Sequence, residues 1–318
     1  MILSSENNND IIKTIMTSTK IKTKAQQLGF LGCGIIKSNT LDDYKKHLDD
    51  RVKSYPDSKK LYEPLYNNAC MPESAKSIIV CTQRYNKYKV PQSLKGLIGK
   101  LYMFDPRIPY SEEYRTVLEF EAWLALLGVN TLQCNVPARL AAAKAGLGKF
   151  GRNNLLYDSE HGSYIWIFTW VTDKELEYDD IEENIGMSAC NDACQKCVSA
   201  CPTKALSKGY SVNRGLCIPQ LTCWSREGID EETKSKIGSW LYGCDVCQDV
   251  CPENKDKFTE SEEFPMLKEH EEYLQPERIL EMDEDTYVNI VNPRFWYMGK
   301  DNIQQWKDNA RRNLKNAK

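Results

Sequence analysis

The chain has 318 residues, of which 41% are hydrophobic, and its 42 Lys and Arg against 45 Asp and Glu give a net charge of −3. This length supports a buried core, in two structural units, and the charge excludes a positive field over the whole molecule that would attract nucleic acid. No apolar run approaches the roughly 20 residues that span a bilayer, and the first residues contain no twin arginine. We therefore expect a cytoplasmic protein without a membrane segment.

The first half of the chain alternates predicted helices and strands. Helices are predicted over residues 10–28 (opened by Asp10), 41–54, 111–128 and 137–144. Strands are predicted over residues 30–36, 77–82, 129–134 and 164–171. The last strand is nearly all apolar and is expected at the centre of the sheet. In the third helix, Val117, Leu118, Leu124 and Leu127 are expected to face inward. This order predicts a layered α/β domain over residues 1–175.

The second half of the chain is organised around cysteine. An acidic stretch, Asp173–Glu183, is interpreted as a linker to a cluster domain over residues 184–260. Residues 261–318 are charged and mostly helical by pattern, and they are expected to pack back onto the first domain. The tail from Trp306 to Lys318 carries five positive charges. It is either a solvated helix face or a patch that contacts phosphate.

Two copies of a C-x2-C-x3-C-P motif dominate the cluster domain. Their residues are Cys194, Cys197, Cys201 and Pro202, and Cys244, Cys247, Cys251 and Pro252. Bacterial ferredoxins use this spacing to hold paired [4Fe–4S] clusters, and the last Cys of each run reaches across to the other cluster. The alternative for such cysteines is structural zinc. Two runs that both end in Cys-Pro favour iron–sulfur clusters and electron transfer.

Two cubanes need eight ligands, and the two runs supply six. By the ligand pattern of bacterial ferredoxins, one cluster would be held by Cys190, Cys194, Cys197 and Cys251. The other would be held by Cys201, Cys217, Cys244 and Cys247. Cys223 is the rival of Cys217. If Cys190 is too distant, its cluster would be a labile [3Fe–4S] form or would take a ligand other than Cys. The remaining cysteines are interpreted as small buried apolar residues, namely Cys33, Cys70, Cys81 and Cys134.

A glycine-rich loop, Ala145–Asn154, lies before the last strand and is followed by Gly162-Ser163. Glycines let a backbone approach a ligand closely, and Arg152 could pair with an anionic group. The loop does not directly follow a strand and has no acidic ribose-binding residue at the expected distance. These two features argue against a dinucleotide site.

The order of these motifs resembles the epoxyqueuosine reductases and their relatives, the reductive dehalogenases. The segments that carry the resemblance are Pro72–Val80, Ala143–Leu156, Gly162-Ser163, Tyr242–Pro252 and Asp308–Asn316. The resemblance covers about residues 10–318, and the cluster and glycine motifs are its specific part.

The resemblance implies a nitroreductase-like α/β core that binds a corrinoid, with a ferredoxin-like double [4Fe–4S] module that supplies electrons. It therefore implies cobalamin, and in the base-off form, because none of the three histidines lies in an Asp-x-His-x-x-Gly setting. The corrinoid contacts implied by matching motifs are Gly146, Gly148, Gly151, Arg152, Asn153 and Ser163. The alternative for the glycines is a tight turn that packs helix on sheet.

The chain departs from the reductase pattern before the glycine loop. The reductases place an acidic proton donor there, whereas Gln133–Pro137 contains no carboxylate. The dehalogenase branch uses a tyrosine near a basic residue, which makes Tyr102 and Tyr114 the candidate donors. Lys144 or Arg152 could then assist. Cys134 and Asn135 are further candidates for lining the cavity.

The sequence thus predicts a cobalamin- and [4Fe–4S]-dependent reductase that converts the epoxide of a queuosine-type tRNA base to an alkene. One alternative is a dehalogenase-like or other small-molecule corrinoid reductase. Another is an electron-transfer protein without its own substrate. The expected partners are a low-potential donor of the ferredoxin or flavodoxin type and tRNA, held through the basic tail.

Overall fold

The computed structural model describes residues 5–67, 71–103, 111–132, 134–179, 189–224, 229–295 and 297–316. Cys70, Gln133 and residues 180–183 of the predicted acidic linker lie outside these ranges. Within the described residues, no helix is both long and apolar enough to cross a bilayer.

The helices and strands of the described residues follow in chain order. The α-helices are α1 Ser5–Gln27, α2 Tyr44–Ser54, α3 Lys59–Asn67, α4 Glu112–Leu126, α5 Ala138–Lys144, α6 Lys196–Ala200, α7 Ile218–Cys223, α8 Glu231–Ile237, α9 Val246–Asp249, α10 Pro276–Glu281, α11 Glu284–Thr286 and α12 Ile303–Asn316. The strands are β1 Gly32–Lys37, β2 Ser77–Arg84, β3 Tyr88–Lys89, β4 Thr131–Leu132, β5 Lys149–Phe150, β6 Leu156–Tyr157, β7 Ile165–Thr172 and β8 Glu262–Glu263. Single turns of 3₁₀-helix lie at Ser38–Leu41, Pro56–Ser58, Gln92–Leu94, Lys100–Tyr102, Arg214–Leu216, Pro252–Asn254 and Glu271–Leu274, and Tyr287–Val291 forms a π-helical turn.

The chain forms two compact units. The first consists of Met1–Arg84, Glu112–Gly151 and Leu155–Ala189, and the second of Tyr85–Ser111, Arg152–Asn154 and Cys190–Lys318. The two units are therefore interleaved in sequence. Three residues of the glycine loop, Arg152–Asn154, belong to the second unit although their neighbours on both sides belong to the first.

The first unit is built on an antiparallel sheet in the order β1-β2-β7-β4. As predicted, β7 is an inner strand, and it pairs with β2 over its whole length. Because side chains alternate along a strand, one face of the sheet packs against α1 and α4, and the other packs against α5. This is a helix–sheet–helix arrangement, which agrees with the predicted α/β class.

The helix α4 corrects one sequence prediction. Val117, Phe120 and Leu124 form its buried stripe at the i, i+3, i+7 spacing of a helix. Leu118, predicted to face inward, is 45% exposed, because it lies about 100° around the helix from Val117. The helix α1 also begins earlier than predicted, at Ser5 instead of Asp10.

The described part of the acidic stretch is bonded to the first unit. The Asp179 carboxylate accepts a hydrogen bond from the Ile35 backbone N–H at 2.7 Å and forms an ion pair with Lys22. Leu176 is buried, and the Ser77 hydroxyl accepts a hydrogen bond from its backbone N–H. Residues 173–179 therefore extend the core of the first unit.

The second unit is held by aromatic stacking around its last helix, α12. The rings of Trp306 and Tyr242 are stacked at 5.2 Å, and Phe295 meets Trp306 edge-on. The helix packs against α7, α8 and α10. Asn309 on α12 donates hydrogen bonds to the carbonyls of Thr222 and Leu241, both at 2.9 Å. The segments next to the second cysteine run are thus fixed from one helix.

Candidate iron–sulfur centre

The two cysteine runs fold into the same local structure. In each, a short helix contains the middle cysteine, and the last cysteine follows that helix in an extended conformation. Cys201 has φ −62° and ψ 112°, and Cys251 has φ −77° and ψ 124°. The following proline requires this extended geometry, because its ring clashes with a helical preceding residue. The two short helices, α6 and α9, pack against each other.

One group of sulfurs surrounds Cys197. Burial raises the pKa of its thiol to about 11, and the neighbouring sulfurs of Cys190, Cys251 and Cys194 act in the same direction. The residues that the structure brings together here are those that the spacing assigned to the first cluster, including Cys190. Cys190 joins this group although it lies four residues before Cys194, one more than in a C-x2-C pair.

A second group surrounds Cys247. Burial raises the pKa of the Cys247 thiol, as do Cys244, Cys217, Cys197 and Cys201. Burial likewise raises the pKa of the Cys244 thiol, with further contributions from Cys217 and Cys201. Cys201, Cys217, Cys244 and Cys247 therefore lie near one another. Cys197 of the first group lies close enough to Cys247 to raise the pKa of its thiol, so the two groups adjoin.

Cys223, the rival of Cys217, is also beside the second group. It is buried, and burial raises the pKa of its thiol to about 12. Its sulfur contacts the Thr222 hydroxyl at 3.7 Å. Among the cysteines of this centre, Cys217 is the one that further raises the pKa of the Cys223 thiol.

The donor set fits iron–sulfur clusters. Thiolates gathered in a buried space are unstable by themselves, and positive iron offsets both their mutual repulsion and their desolvation. Buried polar atoms without a hydrogen-bond partner among the described residues include Arg152 Nε, Ser211 Oγ and Arg214 Nε. All three belong to segments that contact or precede cluster cysteines, where sulfur would be an acceptor.

The glycine loop has a structural explanation at two positions. Gly146 has φ +72° and ends α5: its N–H bonds to the Ala143 carbonyl at 3.0 Å, and the Leu147 N–H bonds to the Ala142 carbonyl at 2.9 Å. This is a Schellman cap, which favours glycine. At Gly148, a Cβ would lie 2.7 Å from the Tyr157 carbonyl oxygen. The alternative of a tight turn packed on the sheet therefore accounts for both glycines.

The other predicted corrinoid contacts are divided between the two units. Gly151 and Ser163 are buried in the first unit, where the Gly151 N–H bonds to the Leu155 carbonyl at 2.8 Å. In the second unit, the Arg152 backbone N–H donates to Cys190 Sγ at 3.3 Å, and Asn153 Nδ2 donates to the Cys247 carbonyl at 3.2 Å. Arg152 and Asn153 thus both bond to the cysteine loops.

The candidate proton donors are also divided. Tyr102 lies in the second unit, where burial raises its pKa well above the usual value, with Cys223 and Cys217 adding to the effect. Tyr114 is half-buried on α4 in the first unit. Lys144, also in the first unit, forms an ion pair with Asp43 at 3.1 Å. The half-buried Cys134 packs in the apolar cluster between the sheet and α5, and burial raises the pKa of its thiol.

Sequence reasoning missed the contacts that hold the second cysteine run. The Asp245 carboxylate, between Cys244 and Cys247, accepts the Lys100 backbone N–H at 2.8 Å and also pairs with the Lys100 ammonium at 3.5 Å. Burial raises the pKa of Asp245 to about 6, and Lys100 opposes this shift. An acidic residue between two ligand cysteines was the available signal, but its partner lies 145 residues earlier.

Comparison with known proteins identifies the cysteine-rich segment and the family. Residues 189–254 match the 4Fe-4S double cluster binding domain, which favours iron–sulfur clusters over structural zinc. The epoxyqueuosine reductase of Cellulophaga algicola is 31% identical over 269 residues, which are 81% of this chain and 85% of that protein. The chain belongs to the epoxyqueuosine reductase family. The family predicted from the motifs is therefore confirmed.

Solved epoxyqueuosine reductases have the same fold. One, from Bacillus subtilis, with its aspartate catalytic loop swung out of the active site, matches with a TM-score of 0.71 and 23% identity. Another, with a tyrosine-tRNA stem loop modified with epoxyqueuosine, matches with a TM-score of 0.72 and 22% identity. Both matches cover 94% of this chain and 81% of the other.

Proposed function

We propose that this protein reduces epoxyqueuosine in tRNA to queuosine. The observation that carries the proposal is membership of the epoxyqueuosine reductase family, across 85% of the length of a relative. One solved neighbour holds a tRNA stem loop modified with epoxyqueuosine. In the reaction, the epoxide takes up two electrons and two protons, both C–O bonds break, a C=C bond forms, and the oxygen leaves as water.

The electrons enter through two [4Fe–4S] clusters. For the first we propose the ligands Cys190, Cys194, Cys197 and Cys251, and for the second Cys201, Cys217, Cys244 and Cys247. The proximity of the sulfurs within each group supports this assignment. Each cluster carries one electron at a time, so the pair can supply the two that one epoxide consumes. A low-potential ferredoxin or flavodoxin is the proposed donor.

The finer division of the chain follows from the same proposal. Residues 1–175 would form a nitroreductase-like core that binds base-off cobalamin, residues 184–260 would hold the clusters, and residues 261–318 would complete the fold. The bound corrinoid would supply a strongly reducing cobalt centre. For its contacts we propose Gly146, Gly148, Gly151 and Ser163. The supporting observation is at Gly146: no atom of the described residues lies within 4 Å of an added Cβ there, so a flat group can approach its backbone.

For the proton we propose Tyr102 or Tyr114, because the segment before the glycine loop contains no carboxylate. The phenol of Tyr102 keeps its proton at neutral pH, since burial raises its pKa. Lys144 would act through its positive charge.

Fewer than five of the positive charges in the tail from Trp306 to Lys318 are available for the proposed tRNA contact. Arg312 is mostly buried and bonds to the Trp240 carbonyl, so it belongs to the fold. Arg311 pairs with Asp308, and Lys315 pairs with Glu231. These surface pairs are weak and open readily to a phosphate. Since tRNA is the substrate, we place the protein in the cytoplasm.

The proposal is tested with protein purified without oxygen and loaded with iron, sulfide and cobalamin. We expect epoxyqueuosine in tRNA to lose one oxygen atom, followed by mass spectrometry of the nucleosides, and Cys244→Ser to abolish this conversion. Protein that holds both clusters and cobalt but leaves the epoxide intact would exclude this substrate.

A further inference from the structure

Arg152 interacts with the first group of cysteines in two ways. Its backbone N–H donates to Cys190 Sγ at 3.3 Å. Its guanidinium Nη2 donates to the carbonyl of Asp192, two residues further along the same loop, at 2.6 Å. A cluster bound by Cys190 would thus meet a hydrogen-bond donor and a permanent positive charge from one residue. We propose that Arg152 raises the reduction potential of that cluster.

The position of the guanidinium is fixed by the loop around residue 210. It lies over the Tyr210 ring, 5.4 Å from the centroid, which is a cation–π contact. The Tyr210 N–H in turn bonds to the Arg152 carbonyl at 2.8 Å. A Cβ on Gly209 would lie 3.3 Å from Nη1, so the preceding residue closes over the side chain. Tyr210 adopts φ +63°, an unfavourable conformation for a residue other than glycine. In this strained conformation the aromatic ring of Tyr210 lies against Arg152.

One donor of the guanidinium is left without an acceptor. Arg152 Nε is buried and has no hydrogen-bond partner among the described residues. Burying an unpaired donor is costly, so native structures pair such groups with protein, water or a ligand. A cluster bound by Cys190 would bring sulfur acceptors to the loop that Arg152 already contacts. The other two donor contacts of Arg152 already point to the same loop.

The sign of the effect follows from charge. Reduction adds one negative charge to a cluster, and an arginine remains positive at every pH at which proteins are stable. A nearby cation and N–H···S hydrogen bonds therefore stabilise the reduced form more than the oxidised form. Near the second group of cysteines, Lys100 is paired with the acidic Asp245 and Asp249, and the Arg214 guanidinium donates to Gln220 Oε1 at 3.0 Å. Different potentials would give electron flow between the clusters a direction.

The test is a redox titration of the loaded protein, followed by EPR, without tRNA. In Arg152→Gln we expect the potential of one cluster to fall by about 59 mV, which is a tenfold change in the ratio of reduced to oxidised cluster for one electron. The other cluster should keep its potential. Arg152→Lys keeps the charge but loses the Nε donor, and we expect a smaller fall in the same cluster. The control is Arg278→Gln, since Arg278 is exposed and pairs with Glu272 and Glu281.

Unchanged potentials in Arg152→Gln, or equal shifts in both clusters, would overturn the proposal. If Arg152→Gln does not assemble its cluster, an unchanged potential in Arg152→Lys would do the same. The proposal rests on the two clusters of the proposed function but not on its substrate. A protein that fails to reduce epoxyqueuosine can still show the shift, and an active enzyme can lack it.

Discussion

Gly146 and Gly148 stand two residues apart, yet different physical effects require a glycine at each. A side chain at Gly146 would face open space, but the backbone there is left-handed. A side chain at Gly148 would collide with the backbone of β6. The family resemblance implies corrinoid contacts at both, and the structure gives Gly146 a role in ending α5 and Gly148 a role in packing the loop against β6. A glycine in a loop can therefore serve the fold and leave ligand contact to its backbone.

Alanine substitutions separate these two effects. We expect Gly148→Ala to lower the free energy of unfolding by about 1–3 kcal/mol through overpacking. Gly146→Ala should cost about 1–2 kcal/mol through its left-handed backbone, and Gly146→Asn should recover part of that loss because Asn tolerates this conformation. Urea unfolding of the three variants measures the differences. Equal stability of Gly146→Asn and Gly146→Ala would argue against backbone strain as the cause.

The choice between Cys217 and Cys223 is also decided at the scale of one residue. Cys217 is among the largest contributions that raise the pKa of both Cys244 and Cys247, and Cys223 is not among those contributions. We therefore expect Cys217→Ser to reduce the iron content from about eight to about four per chain, the content of one cubane. Cys223→Ser is the matched control and should keep both clusters. The reverse result, measured by iron and sulfide analysis, would make Cys223 the ligand.

Among the elements, α12 has the strongest influence on the cluster region. It lies in residues 261–318, which the sequence pattern predicts to be mostly helical, and its basic residues are either a solvated face or a patch that contacts phosphate. Its buried side, however, uses polar residues to bind backbone carbonyls: Asn309 reaches Thr222 and Leu241, and Asn313 reaches Ser239 at 2.6 Å. An asparagine that satisfies two buried carbonyls cannot be replaced without leaving them unpaired.

Asn309→Ala should therefore destabilise the second unit by about 2–3 kcal/mol, since two buried carbonyls lose their donor. We also expect faster loss of iron to a chelator, because Thr222 and Leu241 adjoin the second group of cysteines. Gln304 is the control: it bonds only to the exposed Asp308 on the same helix, and Gln304→Ala should behave like the unaltered protein. Wild-type iron retention in Asn309→Ala would mean that α12 stabilises the fold without protecting the clusters.

For the whole molecule, the buried thiols predict a dependence of cluster retention on pH. Iron binds thiolates, so protons compete with iron for each sulfur. The pKa of Cys197 is raised to about 11 in the cluster-free protein, which means that protons compete at every pH below that value. Acidification should thus speed cluster loss, and higher pH should slow it. We expect faster loss of the visible absorbance to a chelator at pH 6 than at pH 8; the opposite order would contradict the proposed thiolate ligation.

The sequence predicted what depends on local pattern and missed what depends on distant contacts. Periodicity located β2 and β7 to within two residues at each end, because their apolar side chains must face the two helical layers. Spacing indicated the two cysteine loops, because three sulfurs on one loop need fixed separations. It could not show that the chain leaves the first unit for Arg152–Asn154, since the partners of that segment, Cys190 and Cys247, are 38 and 94 residues away. Nor could it place Lys100 beside Asp245.

The hydrogen bonds from α12 join residues that are made at different times during synthesis of the chain. Asn309 is made 68 residues after Leu241, whose carbonyl it binds. At roughly 5–20 residues per second, the ribosome needs several seconds to cover that interval. Within this interval the second cysteine run, which ends at Cys251, is completed well before Asn309 is made. We therefore expect the loops to be most accessible to iron and sulfide in those seconds, before α12 binds the segments next to them.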